Sequence, residues 1–323
     1  MDNLTHTLTG VVLSRVGLNR WYAQSGLVLV LAANIPDIDI VTAVRGALPY
    51  FEAHRGYTHS IMMAPLMALI PMLLACAVSR SMRGWRAAYV LSLIGVASHL
   101  ILDWTNAYGV RFLLPFSSRW FHLDLNNIVD LWIWGVLLIA SVGPLLGRLV
   151  SSEIGARSGS GRGLAIFALA FLVVYDFGLY LVHQRAIETL NSRIYVDQTQ
   201  QGAAPIRVAA FPIGFVNPFD WSGWIERPEL VMHFSMNLLA DFDPTAPDRT
   251  IYKPKTGPLL DAARQAYPVR KFLDFAQYPL WQVIPVADPE GAHRVEVRDW
   301  RFPFTADAVL DQSNQLLSSG FHY

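Results

Sequence analysis

The sequence predicts a mainly α membrane domain followed by a soluble, strand-rich α+β domain, and three observations predict it. The long apolar runs all fall before residue 184. Mean hydropathy is nonetheless only +0.32 for the whole chain, so the hydrophobic character is concentrated in one part. Beyond residue 183 apolar and polar residues alternate at the period of a half-buried strand. The 323 residues therefore divide into a transmembrane domain, 1–183, and an α+β domain, 184–323.

Taken in order, 4–18 and 26–35 read as short apolar helices separated by Asn19-Arg20-Trp21-Tyr22. About 20 residues are needed to cross a hydrocarbon core of roughly 30 Å, so these two are tilted, re-entrant or shielded by protein. Four clear spans follow over 61–79, 87–102, 128–150 and 164–182. In the second domain, Leu230, Met232, Phe234 and Met236 form one face of a strand, and 257–275 reads as helix with a break at Pro268. Asp288-Pro289-Glu290-Gly291 reads as the turn of a hairpin joining 282–286 to 294–298.

Charge and cysteine usage narrow the classes. Lys and Arg balance Asp and Glu at 25 each, which gives no basic footprint for nucleic acid. The single cysteine, Cys76, lies in an apolar run and excludes both an intramolecular disulfide framework and a Cys-rich zinc site. The first residues lack the basic region of a signal peptide, so they are expected to be retained.

Against this apolar background the His54-Arg55-Gly56-Tyr57-Thr58-His59-Ser60 stretch and His99-xxx-Asp103 stand out. On a helix, positions i and i+4 share a face with Cβ atoms about 5 to 6 Å apart, so His99 and Asp103 can point at one ion. His59 supplies a third ligand, and His6 lies on the first short helix. Singly, each histidine has an ordinary reading as a satisfied core residue. Together, at membrane depth, ionisable groups are expensive and either pair or do work. Pro36-Asp37-Ile38-Asp39 ends the second apolar run; if extended, its two aspartates face opposite ways, so at most one is a direct ligand. His54 is either a further ligand or a group supporting one. His233 and His293 stand singly on strand-like segments without ligand spacing.

The loops 80–86 and 148–162 with Arg15 and Arg20 hold eight arginines, against four (Arg45, Arg55, Arg111, Arg119) in the opposite short segments. Basic loops stay in the cytoplasm, so His6, Asp37, Asp39, His54, His59, His99 and Asp103 all fall at outer helix ends, and the C-terminal domain is extracytoplasmic. A helix over 87–103 is roughly 26 Å long, leaving Asp103 near the lipid headgroups. Trp120, Trp132 and Trp134 are expected as interfacial anchors.

Asn3-Leu4-Thr5-His6-xxx-Gly10, Pro36-Asp37-Ile38-Asp39, His54-Arg55-Gly56-xx-His59-Ser60, His99-xxx-Asp103, Tyr108-Gly109 and Pro115-Phe116-Ser117 together resemble the YdjM-like family. The resemblance covers roughly residues 1–180 and implies a multi-pass protein of the prokaryotic inner membrane with metal-dependent hydrolase activity. The order His6, Asp37, His54 or His59, then His99 with Asp103 is also similar to the ligand order of zinc-dependent phospholipase C and the related single-strand nucleases, though no later His-xxx-Glu follows.

The expectation is a hydrolase with one or two divalent ions, Zn²⁺ first, cleaving a phosphoester of a lipid-like substrate drawn from the membrane. His59, His99 and Asp103 hold the main ion, with His6 at a second and His54 beside them. Asp37 or Asp39 orients the water or completes the shell, and Arg55 offsets phosphoryl charge. The competing expectation is a non-catalytic metal-binding membrane protein, a transporter, or an anchor for the C-terminal domain.

Overall fold

The computed structural model describes residues 1–153, 159–195 and 205–322, so Arg157, one of the eight arginines used for orientation, lies outside the described residues. The N-terminal region is helical: α1 (Asn3–Arg15), α2 (Ser25–Ala32), a 3₁₀ segment (Ile35–Arg45), α3 (Ala47–Ala53), a 3₁₀ turn (Tyr57–His59), α4 (Ala64–Ser79), α5 (Trp85–Thr105), α6 (Leu131–Glu153) and α7 (Arg162–Asn191). Asp2 caps α1 by accepting from the Leu4 and Thr5 amides, and the Trp134 indole donates to the same carboxylate, which fixes the turn that carries His6.

Among the described residues three helices, α5, α6 and α7, are long and apolar enough to cross a membrane. The number rises to five if α2 with 35–45, bent by 47°, and 47–59 with α4, bent by 87°, are each one span. The span expected over 61–79 is shorter as a helix, 16 residues. The reason is local: the Ile61 amide donates to the Phe112 carbonyl and the Ser60 hydroxyl accepts from the Met63 amide, tying 60–63 into a turn. In the short helix at 26–35, Val28, Leu29 and Ala32 are fully buried among α1, α4 and α5, so protein shields that face of it.

Two glycines set how closely these helices approach. A Cβ at Gly10 would sit 2.8 Å from the Leu29 carbonyl oxygen, and one at Gly95 would sit 2.5 Å from the Ala32 Cβ. Both positions press a helix backbone against α2. That contact brings His6, the end of α2 and His99 to one level.

The C-terminal domain holds two four-stranded antiparallel sheets, β1 (Arg207–Pro212), β2 (Asp220–Glu226), β3 (Leu230–Asn237), β4 (Arg249–Tyr252), and β5 (Pro279–Pro285), β6 (His293–Asp299), β7 (Thr305–Leu310), β8 (Leu316–His322), each in sequential order. Helices α8 (Pro258–Gln265) and α9 (Tyr267–Leu273) lie between them in sequence and pack on the second sheet. The expected hairpin is present, with Gln282 opposite Glu296. The helical break falls at Ala266 rather than at Pro268, which sits in the first turn of α9 where no amide donor is needed. On β3, Leu230, Met232, Phe234 and Met236 are buried against the end of α7 as the alternation requires. Val231 is buried too, because the other face of this sheet meets Leu280 and Trp300.

The two regions are joined by packing as well as by chain. Helix α7 runs through the expected division at 183/184 and ends under β1 and β2. Phe51 of α3 belongs to the same buried aromatic cluster as Phe272, Phe275 and Phe304. Trp120, expected as an interfacial anchor, is instead buried beside Phe275 with its indole donating to the Asp274 carbonyl. Trp132 does remain half exposed at the start of α6.

Candidate metal centre

At the end of the bundle that faces the C-terminal domain, the last turns of α5 meet the first turn of α1 and the 3₁₀ segments. His59, His99 and Asp103 are fully buried. With Asp37 they place four donor atoms within 4.8 Å of one another. The Nε2 atoms of His59 and His99 are 3.1 Å apart. Asp103 Oδ2 lies 3.4 Å from the first and 3.3 Å from the second, and Asp37 Oδ1 lies 3.3 and 3.7 Å from them.

The backbone and neighbouring side chains fix which ring nitrogen faces the centre. His99 Nδ1 donates to the Ala33 carbonyl at 2.7 Å. His59 Nδ1 donates to the Thr58 hydroxyl at 3.0 Å, with Asp39 Oδ2 behind at 3.6 Å. Each ring therefore presents an Nε2 lone pair to the same point. Two lone pairs at that distance, flanked by two carboxylates, repel unless a cation or proton lies between them. Asp103 Oδ2 and both nitrogens of His6 are buried without a hydrogen-bond partner among the described residues, and the His6 ring stacks on His99 at 3.8 Å. This donor set, imidazole nitrogens with carboxylate oxygens, fits a first-row divalent ion.

The remaining predicted residues form the frame around these donors. Asp39 contacts His54 Nδ1 at 3.2 Å and accepts from the Arg55 amide at 3.0 Å and the Thr58 hydroxyl at 3.3 Å. Asp37, Asp39 and His54 make a second group of donors that shares Asp37 with the first. The two aspartates do not face opposite ways as in an extended strand: 35–45 is a 3₁₀ segment, where positions two apart differ by about 120° rather than 180°, and both carboxylates reach the cluster, Asp37 at His59 Nε2 and Asp39 at His59 Nδ1. His6 Nε2 approaches Asp103 Oδ1 at 3.4 Å.

Arg55 lies behind Asp103, with Nη2 3.0 Å from Oδ1, and the Met1 amine contacts the same oxygen. Its φ of +54° is a left-handed conformation unusual for a residue other than glycine. Bonds from its amide to Asp39 and from Nη1 to the Asn106 side chain and Gly109 carbonyl hold it there. Asn106 carries no metal-ligand signal in the sequence, yet its carboxamide oxygen also accepts from the Tyr108 and Gly109 amides. The Ala33 carbonyl could not be read at all, since a backbone acceptor leaves no mark on residue identity.

A bundle with apolar helices long enough to span, bearing a buried His/Asp centre at one end, defines a membrane protein with a candidate metal site. Residues 1–187 match the model of the YdjM inner membrane protein family, and the chain belongs to that family. It is also similar to the uncharacterized protein YfhP of Bacillus subtilis (strain 168), 29% identical over 191 residues, which are 56% of this chain and 53% of that relative. The chain thus aligns with about half the length of the curated relative it matches. No solved structure matches it.

Proposed function

We propose that the chain is a metal-dependent hydrolase of the inner membrane that cleaves a phosphoester of a lipid-like substrate. The observation that supports this reading is the pair of buried imidazoles whose Nε2 atoms converge at 3.1 Å beside Asp37 and Asp103. Zn²⁺ would suit that set, with Asp37, His59, His99 and Asp103 as the residues to hold it and Asp37, Asp39 and His54 as a second group of donors. When bound, such an ion supplies Lewis acidity and makes a water more acidic.

The chain's own residues carry the rest. Ala33 and Thr58 set the ring orientations, and Asp103 is held between Arg55 and the two imidazoles. Asp37 is the donor of the main group with some solvent access, 13% for its side chain, so it is the group able to accept a proton from an incoming water. Arg55 has both terminal nitrogens engaged, which makes it the stabiliser of Asp103 in this reading, with Nε alone free of a partner. A transport path is disfavoured because Val12, Leu29 and Val96, one layer further into the bundle, are fully buried and apolar.

In this reading α4 crosses the membrane with α5, α6 and α7, while α1 and α2 stay within the bundle. The arginine bias supports an orientation in which the site and the C-terminal domain lie outside the cytoplasm. The test is release of phosphate or headgroup from a total lipid extract in detergent, with and without chelator. Chelation and Asp103→Asn should each remove most activity. Metal-replete protein that releases nothing from the extract, yet cleaves amide or carboxylic ester substrates, would overturn the reaction class.

A further inference from the structure

Away from the metal centre, α7 passes out of the apolar bundle and continues under the first sheet. Its stretch 164–182 is 19 residues, about 28 Å, which matches a hydrocarbon core of roughly 30 Å, and it carries one charged residue, Asp176, turned inward to the Asn126 side chain. Arg185 follows three residues later, at the level where lipid phosphates begin. Val173, Phe177 and Leu181, spaced four apart below it, are all more than half exposed.

Two cavities adjoin at this level, and both include Arg185 and Leu238. The nearer one, about 250 Å³, is walled by Leu181, Val182, Phe219 and Leu239. The farther one, about 330 Å³, is lined by Thr189, Arg193, Asn237, Asp241 and Asp243 together with Arg185. Its two arginines and two aspartates form no ion pair with one another among the described residues. Asp243 is fixed by accepting from the Thr245 amide and hydroxyl. The apolar cleft thus adjoins, through Arg185 and Leu238, an open polar one on the surface that carries two positive and two negative exposed groups.

We propose that this double cavity binds a membrane phospholipid with a zwitterionic amine headgroup. Its acyl chains follow Val173, Phe177 and Leu181 and pass the apolar cleft. The phosphodiester takes donors from Arg185 and Arg193, which line the same cavity and whose forked guanidinium groups suit its oxygens. The primary ammonium reaches Asp241 and Asp243. The charge pattern selects this occupant: a glycerol headgroup leaves the aspartates facing no cation, and a trimethylated amine has no N–H to donate. The exposed Phe215 and Val216, in the loop whose carbonyls accept from Leu131 and Trp132 at the start of α6, extend the same apolar border along the sheet.

The full chain in detergent, stripped of lipid, would be offered dioleoyl phosphatidylethanolamine, phosphatidylcholine and phosphatidylglycerol in equal amounts, with retention read by native mass spectrometry. The ethanolamine lipid should be retained about tenfold over the other two, the scale of one charge-assisted hydrogen bond. Arg185→Ala/Arg193→Ala should lose retention of all three, Asp241→Asn/Asp243→Asn should lose only the selectivity, and both should keep the metal content of wild type. Equal retention of the three lipids, a preference for the glycerol lipid, or equal competition by free phosphoethanolamine would each overturn the proposal. The selectivity of wild type needs no variant to fold, and the result stands whether or not the metal centre hydrolyses anything.

Discussion

Asp103 uses its two oxygens for different partners: Oδ1 meets Arg55 and Oδ2 meets the two imidazoles. Asp39 plays a similar part for His59, through Thr58 and directly. Asp39→Asn should therefore weaken metal binding by about 10- to 100-fold, the usual cost of losing a group that orients a ligand, while His99→Ala should abolish it. Competition against a chelating dye measures both; equal affinities for Asp39→Asn and wild type would remove Asp39 from the frame. At this scale the sequence was most legible where one helix supplies both donors, as in His99 and Asp103. It was least legible where the donors come from an irregular segment. Asp37 and Asp39 face opposite ways only if their segment is extended, and no residue pattern announces an 11-residue 3₁₀ run, which tertiary contacts with α3, α4 and the 57–59 turn sustain.

At the scale of elements, the site depends on how closely α5 can approach α2. Gly95→Val should destabilise the protein by about 1–3 kcal/mol, because its Cβ meets both the Ala32 Cβ and the Ala33 amide nitrogen. The same separation stretches the bond between His99 and the Ala33 carbonyl, so metal affinity should fall together with Tm. Gly135→Ala is the matched control, since nothing lies within 4 Å of its added Cβ. A Gly95→Val protein with unchanged Tm and affinity would contradict the packing argument. The apolar runs revealed the elements themselves, because span-length hydrophobicity is a strong local signal. The shortening of α4 escaped it, because the turn at 60–63 is enforced by the Phe112 carbonyl, distant in sequence.

At the scale of the whole molecule, the C-terminal domain is docked onto the loops that carry the site. Arg301 Nη1 donates to the Ala107 carbonyl at 2.8 Å, and its guanidinium forms a two-pronged pair with Asp299. Burial alone would lower the Arg301 pKa, but Asp299 outweighs it and holds it above the ordinary arginine value, so the pair stays charged. Arg301→Ala leaves a buried carboxylate unpaired and should cost about 3–5 kcal/mol, read as a lower Tm. Because Ala107 adjoins Asn106, which holds Arg55, metal affinity should drop as well; a large fall in Tm with unaltered metal binding would separate the domain from the site. The division into an apolar and a strand-rich half was legible from composition. The docking was not, since Trp120 reads as an interfacial anchor and Phe51 carries no signal of its own until the cluster with Phe272, Phe275 and Phe304 is assembled.

If the converging His59 and His99 nitrogens hold a metal ion, the ion should travel with the purified protein and leave with those two side chains. This expectation is tested most directly by elemental analysis of the full chain, purified without chelator, beside the His59→Ala/His99→Ala variant and the lipid-cavity variant Arg185→Ala/Arg193→Ala. Wild type and the arginine variant should carry about one to two equivalents of zinc or a similar first-row ion, and the histidine variant close to none. Equal metal content in wild type and the histidine variant, or no metal in any of the three, would contradict it.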